Sequence, residues 1–158
     1  MNTNKLKPFA QTARQILMEG VARRVLYLGF DAKGKVVEEP MSVAGGVILR
    51  GEVIDDPTLP GKWNALRSAI QRNGIENVVE EAAYTWFNRL MAIRIMAKNN
   101  YDLPHLEYDA EGSHTPLILT RARRGIMGFL SQREQVRVTP LLGDYSQEQK
   151  AFAILLTG

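Results

Sequence analysis

The chain contains no cysteine. That excludes disulfides, thiolate-ligated zinc and a thiol nucleophile together. It has only two histidines, His105 and His114. A multi-histidine metal cluster is therefore ruled out, and a Ser-His-Asp site stays arithmetically possible. No run of about 18 apolar residues free of charge occurs, so no membrane-spanning helix is expected. The opening MNTNKLKPFA is polar and lacks the apolar core of a secretory signal. A cytoplasmic protein is the expectation. No Walker A loop and no GxGxxG fingerprint is present, and Gly45-Gly46 is an isolated pair that reads as a turn.

What is present describes an ordinary globular composition. The 158 residues are 45% hydrophobic and 23% charged, close to the average of folded domains. A chain of this length can bury about two thirds of the surface it exposes when unfolded. One domain over residues 1–158 is expected. The net charge of +3 and the pI near 9.3 permit an anionic partner. The charge is unevenly spread. Residues 1–35 hold seven Lys/Arg against two acids, and residues 117–141 hold five Arg against one Glu. Residues 36–60 hold five acids and one Arg, and residues 101–116 hold four acids and no Lys or Arg. Basic blocks thus coincide with helical patterns, and acidic blocks with the connections between them.

The expected fold class is mainly α, with a small β-hairpin or ordered loop around residues 30–62. Leu6, Phe9, Ala13, Ile16, Leu17, Val21 and Leu28 recur at three and four, which predicts a helix over about 5–28 with one apolar stripe. Thr3 or Asn4 is its expected N-cap, Glu19 and Arg23 an i,i+4 pair, and Gly29 its stop. VLYLGF is also compatible with a strand. The turn signals Asp31–Gly34, Gly45-Gly46, Asp56-Pro57 and Pro60-Gly61 separate short β-prone runs, KVVE and GVILRGEVI. A short helix is expected over about Trp63–Gln71, closed by Asn73-Gly74. A long helix over about Glu76–Asn99 carries Val79, Ala82, Ala83, Trp86, Leu90, Ile93 and Ala97 on one face, which predicts the central core helix. An acidic loop then leads to helices over about 117–138 and 146–156, the last opened by a Ser146/Gln149 capping box. The apolar ending AFAILLTG reads either as a helix docking as a cap or as a cut through a longer chain.

Motifs for chemistry are few. Glu148-Gln149-Lys150, with Asp144 just before, has the Glu-x-Lys form that holds Mg²⁺ in some nucleases. Its helical setting favours a solvated first turn with acids at the N-terminus. Ser113-His114 lacks a nucleophile elbow. No catalytic residue and no metal site is expected. The arginines are the better candidates. Arg121, Arg123 and Arg124 cluster before Gly125, Arg133 and Arg137 follow at i,i+4, and Arg14, Arg23 and Arg24 decorate the first helix. Such clusters can grip phosphates bidentately and supply sequence-independent affinity, or they can simply be solvated faces and ion pairs. Arg89 and Arg94 lie about 140° apart on the long helix. One of them is expected inside a polar network with Glu80, Glu81 or Asn88.

At Tyr84-Thr85-Trp86-Phe87-Asn88-Arg89-Leu90 a family resemblance emerges. VVEEAAYTWFNRLMAIRIMAKNNYDLP, residues 78–104, resembles the N-terminal region of the PglX-type adenine-specific DNA methyltransferases of BREX phage-defence systems. MNTNKLKPFAQTARQIL, Lys62-Trp63 with Leu66-Arg67, and the segments around Asp144–Gln149 and AFAILLTG are similar too. The resemblance implies a larger protein with a Rossmann-like domain that uses S-adenosylmethionine to methylate adenine N6, marking host DNA as self in a restriction-modification logic. This chain has no Asn-Pro-Pro-aromatic loop: none of its seven prolines follows an asparagine. No catalytic residue carries over, no cofactor is expected in this chain, and alone it should not methylate. Tyr84, Trp86, Phe87, Asn88 and Arg89 are the expected core signature.

Three roles remain open from sequence. The first is a helical N-terminal domain that contacts double-stranded DNA through Arg14, Arg23, Arg24, Arg121, Arg123 and Arg124, or positions the downstream methyltransferase domain. The second is an interaction module that docks other BREX subunits. The third is a nuclease-like site at Glu148 and Lys150.

Overall fold

The computed structural model describes residues 3–44, 46–101, 105–111 and 113–157. Among them are six α-helices and one three-stranded antiparallel sheet, so the mainly α expectation with a small hairpin holds. The chain divides into two compact units, residues 1–90 and 91–158.

The first unit begins with α1 (Thr3–Tyr27). The side chains of its expected caps, Thr3 and Asn4, lie outside the described residues. The helix ends as expected at Gly29, at φ 93°. The Gly29 N–H donates to the Leu26 carbonyl and the Phe30 N–H to that of Val25. This crossed pair with a left-handed residue is a Schellman ending. It turns Phe30 back onto Val25, and both are buried. VLYLGF is therefore helix end and turn; its one β feature is the isolated bridge between Phe30 and Val36.

The apolar stripe of α1 is shifted from the expected one. Val25 is buried, with Met18, Val21, Ala22 and Leu28 packed around it, whereas Phe9 and Ile16 are exposed. Periodicity located an apolar face, but α2 and the start of α3 cover only the C-terminal half of α1.

Strands β1 (Met41–Val43), β2 (Gly46–Leu49) and β3 (Glu52–Ile54) pair in sequence order. Leu49 faces Glu52 across a two-residue loop, Arg50-Gly51, with φ of 55° and 73°. Two consecutive left-handed residues match the right-handed twist of a hairpin. Val47 and Leu49 point inward and are essentially inaccessible.

Helix α2 spans Leu59–Asn73, four residues longer at its start than expected. Pro60 falls in its first turn, where a missing N–H costs nothing, so Pro60-Gly61 opens the helix rather than forming a separate turn. Gly74 closes it at φ 79°. Trp63 of α2 stacks on Phe30 at 5.2 Å and donates its Nε1–H to the Leu28 carbonyl at 2.7 Å. One buried indole therefore ties α2 to the end of α1.

Helix α3 spans Ile75–Lys98, within a residue of the expected limits. Its role as a core helix needs correction. Its buried residues are Val79 and Ala83; Trp86 and Phe87 are half-buried and Tyr84 is 66% exposed. The long apolar face is real, but only its first turns are fully enclosed.

The second unit takes up the last turns of α3, which end at Asn100 (φ 58°) with the Tyr101 N–H donating to the Met96 carbonyl. The expected helix over 117–138 is two helices, α4 (Leu117–Arg123) and α5 (Gln132–Leu142). Gly125 at φ 79° breaks it, with the Ile126 N–H returning to the Arg121 carbonyl. Ser131 then opens α5 through a full capping box with Glu134. The expected Ser146/Gln149 box gives way to another arrangement: Ser146 donates its hydroxyl to Asp144, which also accepts the Ser146 N–H. A 3₁₀ turn over Tyr145–Gln147 leads into α6 (Glu148–Thr157). Ile118, Leu119, Ala122, Leu130, Val138, Ala151 and Leu155 form the core of this unit.

Two glycines separate conformational strain from steric clash. A Cβ on Gly125 meets open space, whereas one on Gly29 would lie 2.1 Å from the Glu38 carbonyl oxygen. Gly125→Ala should cost about 1–2 kcal/mol, the left-handed penalty alone. Gly29→Ala should cost roughly 3 kcal/mol or more, because backbone must also move. Urea unfolding of the two variants measures the difference; equal costs would contradict the packing of Glu38 over Gly29.

Candidate nucleic-acid interface

The arginines singled out by sequence fall into two groups, those bound to the protein and those left to solvent. Arg14 makes an ion pair with Glu80 of α3. Arg123 is the most heavily engaged. Its guanidinium donates to Glu148 at 2.7 Å and to the Leu142 carbonyl at 3.2 Å, and lies 4.8 Å from the centre of the Tyr145 ring. It thereby joins α4 to the end of α5 and the start of α6. Neither Arg14 nor Arg123 presents a free charge.

Arg23, Arg24, Arg121 and Arg124 make no ion pair among the described residues. Arg23 is exposed and donates Nε–H to the Glu19 carbonyl at 3.4 Å. The expected Glu19–Arg23 ion pair does not form; the Glu19 carboxylate accepts from Gln15. Arg24 packs 4.7 Å from the Tyr27 ring centre. Nine helical steps place Arg23 about 180° from Arg14, so the arginines of α1 do not share one face. In the second unit, Arg124 is exposed at the end of α4 and Arg121 is partly exposed three residues before it.

The signature run is mostly solvent-facing. Tyr84, Asn88 and Arg89 are exposed, and Arg89 lies 5.7 Å from the Trp86 ring centre. The expected burial of Arg89 or Arg94 in a polar network does not occur. Both are exposed, and Glu80 is already paired with Arg14. An open, mostly apolar cleft of about 510 Å³ adjoins the run, lined by Ala10, Arg14, Asn77, Ala83, Tyr84 and Phe87 among others.

The candidate catalytic groups are otherwise engaged. Glu148 is held by Arg123, and Asp144 caps the 3₁₀ turn. Ser113 accepts the Thr115 N–H at 3.0 Å, and His114 stands edge-on to Tyr108. Among the described residues no group of three His, Asp or Glu could hold a metal ion. Asp109, Glu134 and Asp144 sit below the usual carboxylate range chiefly because nearby hydroxyls and amides bond the charged form. Ser113, then Thr120, does so for Asp109; the Ser131 hydroxyl, then its amide, for Glu134, with the Arg137 charge adding to the effect; the Ser146 hydroxyl, then its amide, for Asp144.

The capping role of Glu134 escaped the sequence reading, although Ser131-x-x-Glu134 spells it. It matters here because Glu134 is the only acid in the 117–141 block.

Sequence comparison gives this charge pattern its setting. The chain is 37% identical over 105 residues to the adenine-specific methyltransferase BrxX of Escherichia coli O9:H4 (strain HS), a match that covers 64% of the chain and 8% of that protein. It is 30% identical over 112 residues to the adenine-specific methyltransferase PglX of Lacticaseibacillus casei (strain Zhang), covering 64% of the chain and 9% of the relative. The resemblance to the BREX methyltransferase family thus rests on two curated relatives, each matched over less than a tenth of its length. No family model and no solved structure matches the chain. No described helix is long and apolar enough to cross a membrane.

The division of the arginines has a direct test. Arg123→Ala leaves Glu148, itself only 29% exposed, without its partner and should cost about 1–2 kcal/mol. Arg124→Ala should stay within about 0.5 kcal/mol of the parent. Chemical denaturation of both variants checks this; equal, small effects would show that Arg123 is not structural.

Proposed function

We propose that this chain is a helical N-terminal module of a BREX-type adenine-specific DNA methyltransferase, and that it steadies duplex DNA for the catalytic domain of the larger protein. The observation that carries the reading is the sequence similarity to two adenine-specific methyltransferases. The charge pattern supports it: Arg23, Arg24, Arg121 and Arg124 keep guanidinium groups without ion pairs among the described residues. Arginine forks suit phosphate oxygens, and such contacts add affinity without reading sequence. S-adenosylmethionine belongs, on this reading, to the larger protein; the fragment itself carries no methyl transfer.

A second reading has an observation of its own. Phe9, Ile16 and Tyr84 are large, apolar or aromatic and exposed in the first unit, and the cleft beside Tyr84 and Phe87 is mostly apolar. Patches of this kind often meet another protein, which would suit docking of other BREX subunits or of the remaining methyltransferase.

The DNA reading predicts weak binding of the chain to duplexes of unrelated sequence, falling as salt rises. Each phosphate contact removed should flatten the log–log salt slope by about 0.9. Arg121→Ala/Arg124→Ala should therefore bind more weakly with a shallower slope, as read by fluorescence anisotropy. Absence of salt-dependent binding by the parent chain at low ionic strength would overturn the reading.

A further inference from the structure

We infer that the outward face of α5, carried by Arg133 and Arg137, is a contact surface for the phosphate backbone of duplex DNA. The inference rests on the DNA reading above and adds the α5 face to the arginines named there.

The geometry is that of a helix with one face committed and one face open. Val138 is fully buried in the core of the second unit. Arg133, Val136, Arg137 and Pro140 lie on another side of the helix at i, i+3, i+4 and i+7, and all four are exposed, Val136 at 69%. Residues four apart on a helix stand one above the other, with Cβ atoms about 6 Å apart. The two guanidinium groups thus project from neighbouring turns of one solvated face. Val136 is the single large apolar residue among these four, too little to anchor the face on a lipid surface.

The arginines of this face form no direct ion pair with the local acid, although the Glu134 carboxylate is close enough to feel the Arg137 charge. Glu134 is the one acid between residues 117 and 141, and at i+3 it is within reach of Arg137. Instead its carboxylate accepts from the Ser131 N–H at 2.9 Å and the Ser131 hydroxyl at 2.6 Å, closing the capping box. No ion pair to Arg133 or Arg137 exists among the described residues. Glu148, the acid that α6 contributes, is held by Arg123. The cap that starts α5 therefore holds the Glu134 carboxylate short of a direct ion pair with either arginine. Two exposed guanidinium groups without ion pairs on one helix face, each able to bond two phosphate oxygens, are complementary to a row of phosphates.

The test uses the full chain and a short fluorescently labelled duplex of arbitrary sequence, titrated at several salt concentrations. Arg133→Ala/Arg137→Ala should flatten the salt slope by about 1.8, two contacts at about 0.9 each. Its thermal melt should stay close to the parent, because both side chains are exposed. Arg133→Lys/Arg137→Lys keeps the charges and should restore most of the slope, which a purely structural role would not require. If the alanine variant binds with an unchanged slope while Arg121→Ala/Arg124→Ala flattens it, the α5 surface is wrong and the DNA reading stands. If the parent chain shows no salt-dependent binding, the reading and the inference fall together.

Discussion

The guanidinium of Arg123 holds three helices to one carboxylate, and the outward charge of the second unit depends on that commitment. With Arg123 bound to Glu148, to the Leu142 carbonyl and over Tyr145, one arginine of the basic block contributes to packing. Glu134 is likewise withdrawn, into its helix cap. The capped carboxylate still feels the Arg137 charge one turn on, but makes no direct ion pair with it. The surplus charge of the block therefore appears at Arg121, Arg124, Arg133 and Arg137, although the chain as a whole is close to neutral. In the first unit the same logic runs through Arg14–Glu80, Arg50–Glu38 and Arg67–Glu39. These surface pairs add little stability individually; their effect is on which cations remain available.

Backbone geometry decides where those helices end. Gly29, Asn100 and Gly125 each take a left-handed conformation and return a crossed pair of N–H groups to the last turn. The first two stops were legible from sequence, because glycine or a pair of asparagines closed a clear periodic run. The third was not: Gly125 sits between an arginine cluster and more apolar residues, so periodicity carried across it. Pro60 misled in the opposite direction, since a proline marks a turn or a helix start equally well. The two longest helices and the hairpin were readable because their signals are local.

The candidate site was less legible for a related reason. Residue type and spacing identified the arginines, but the engagement of each depends on partners far away in sequence. Arg14 meets Glu80 and Arg123 meets Glu148, and no helical spacing announces either pair. Burial failed in the same way at Tyr84. An apolar face shows that a helix can be covered, and only the fold shows how much of it is. The signature run is accordingly more accessible than a core reading implied.

The most direct measurement is arginine side-chain NMR of the full chain during titration with duplex DNA. The account predicts shifts at the guanidinium signals of Arg121, Arg124, Arg133 and Arg137, with Arg123 unmoved because it is bound to Glu148. Shifts at Arg123 with the other four silent would contradict it.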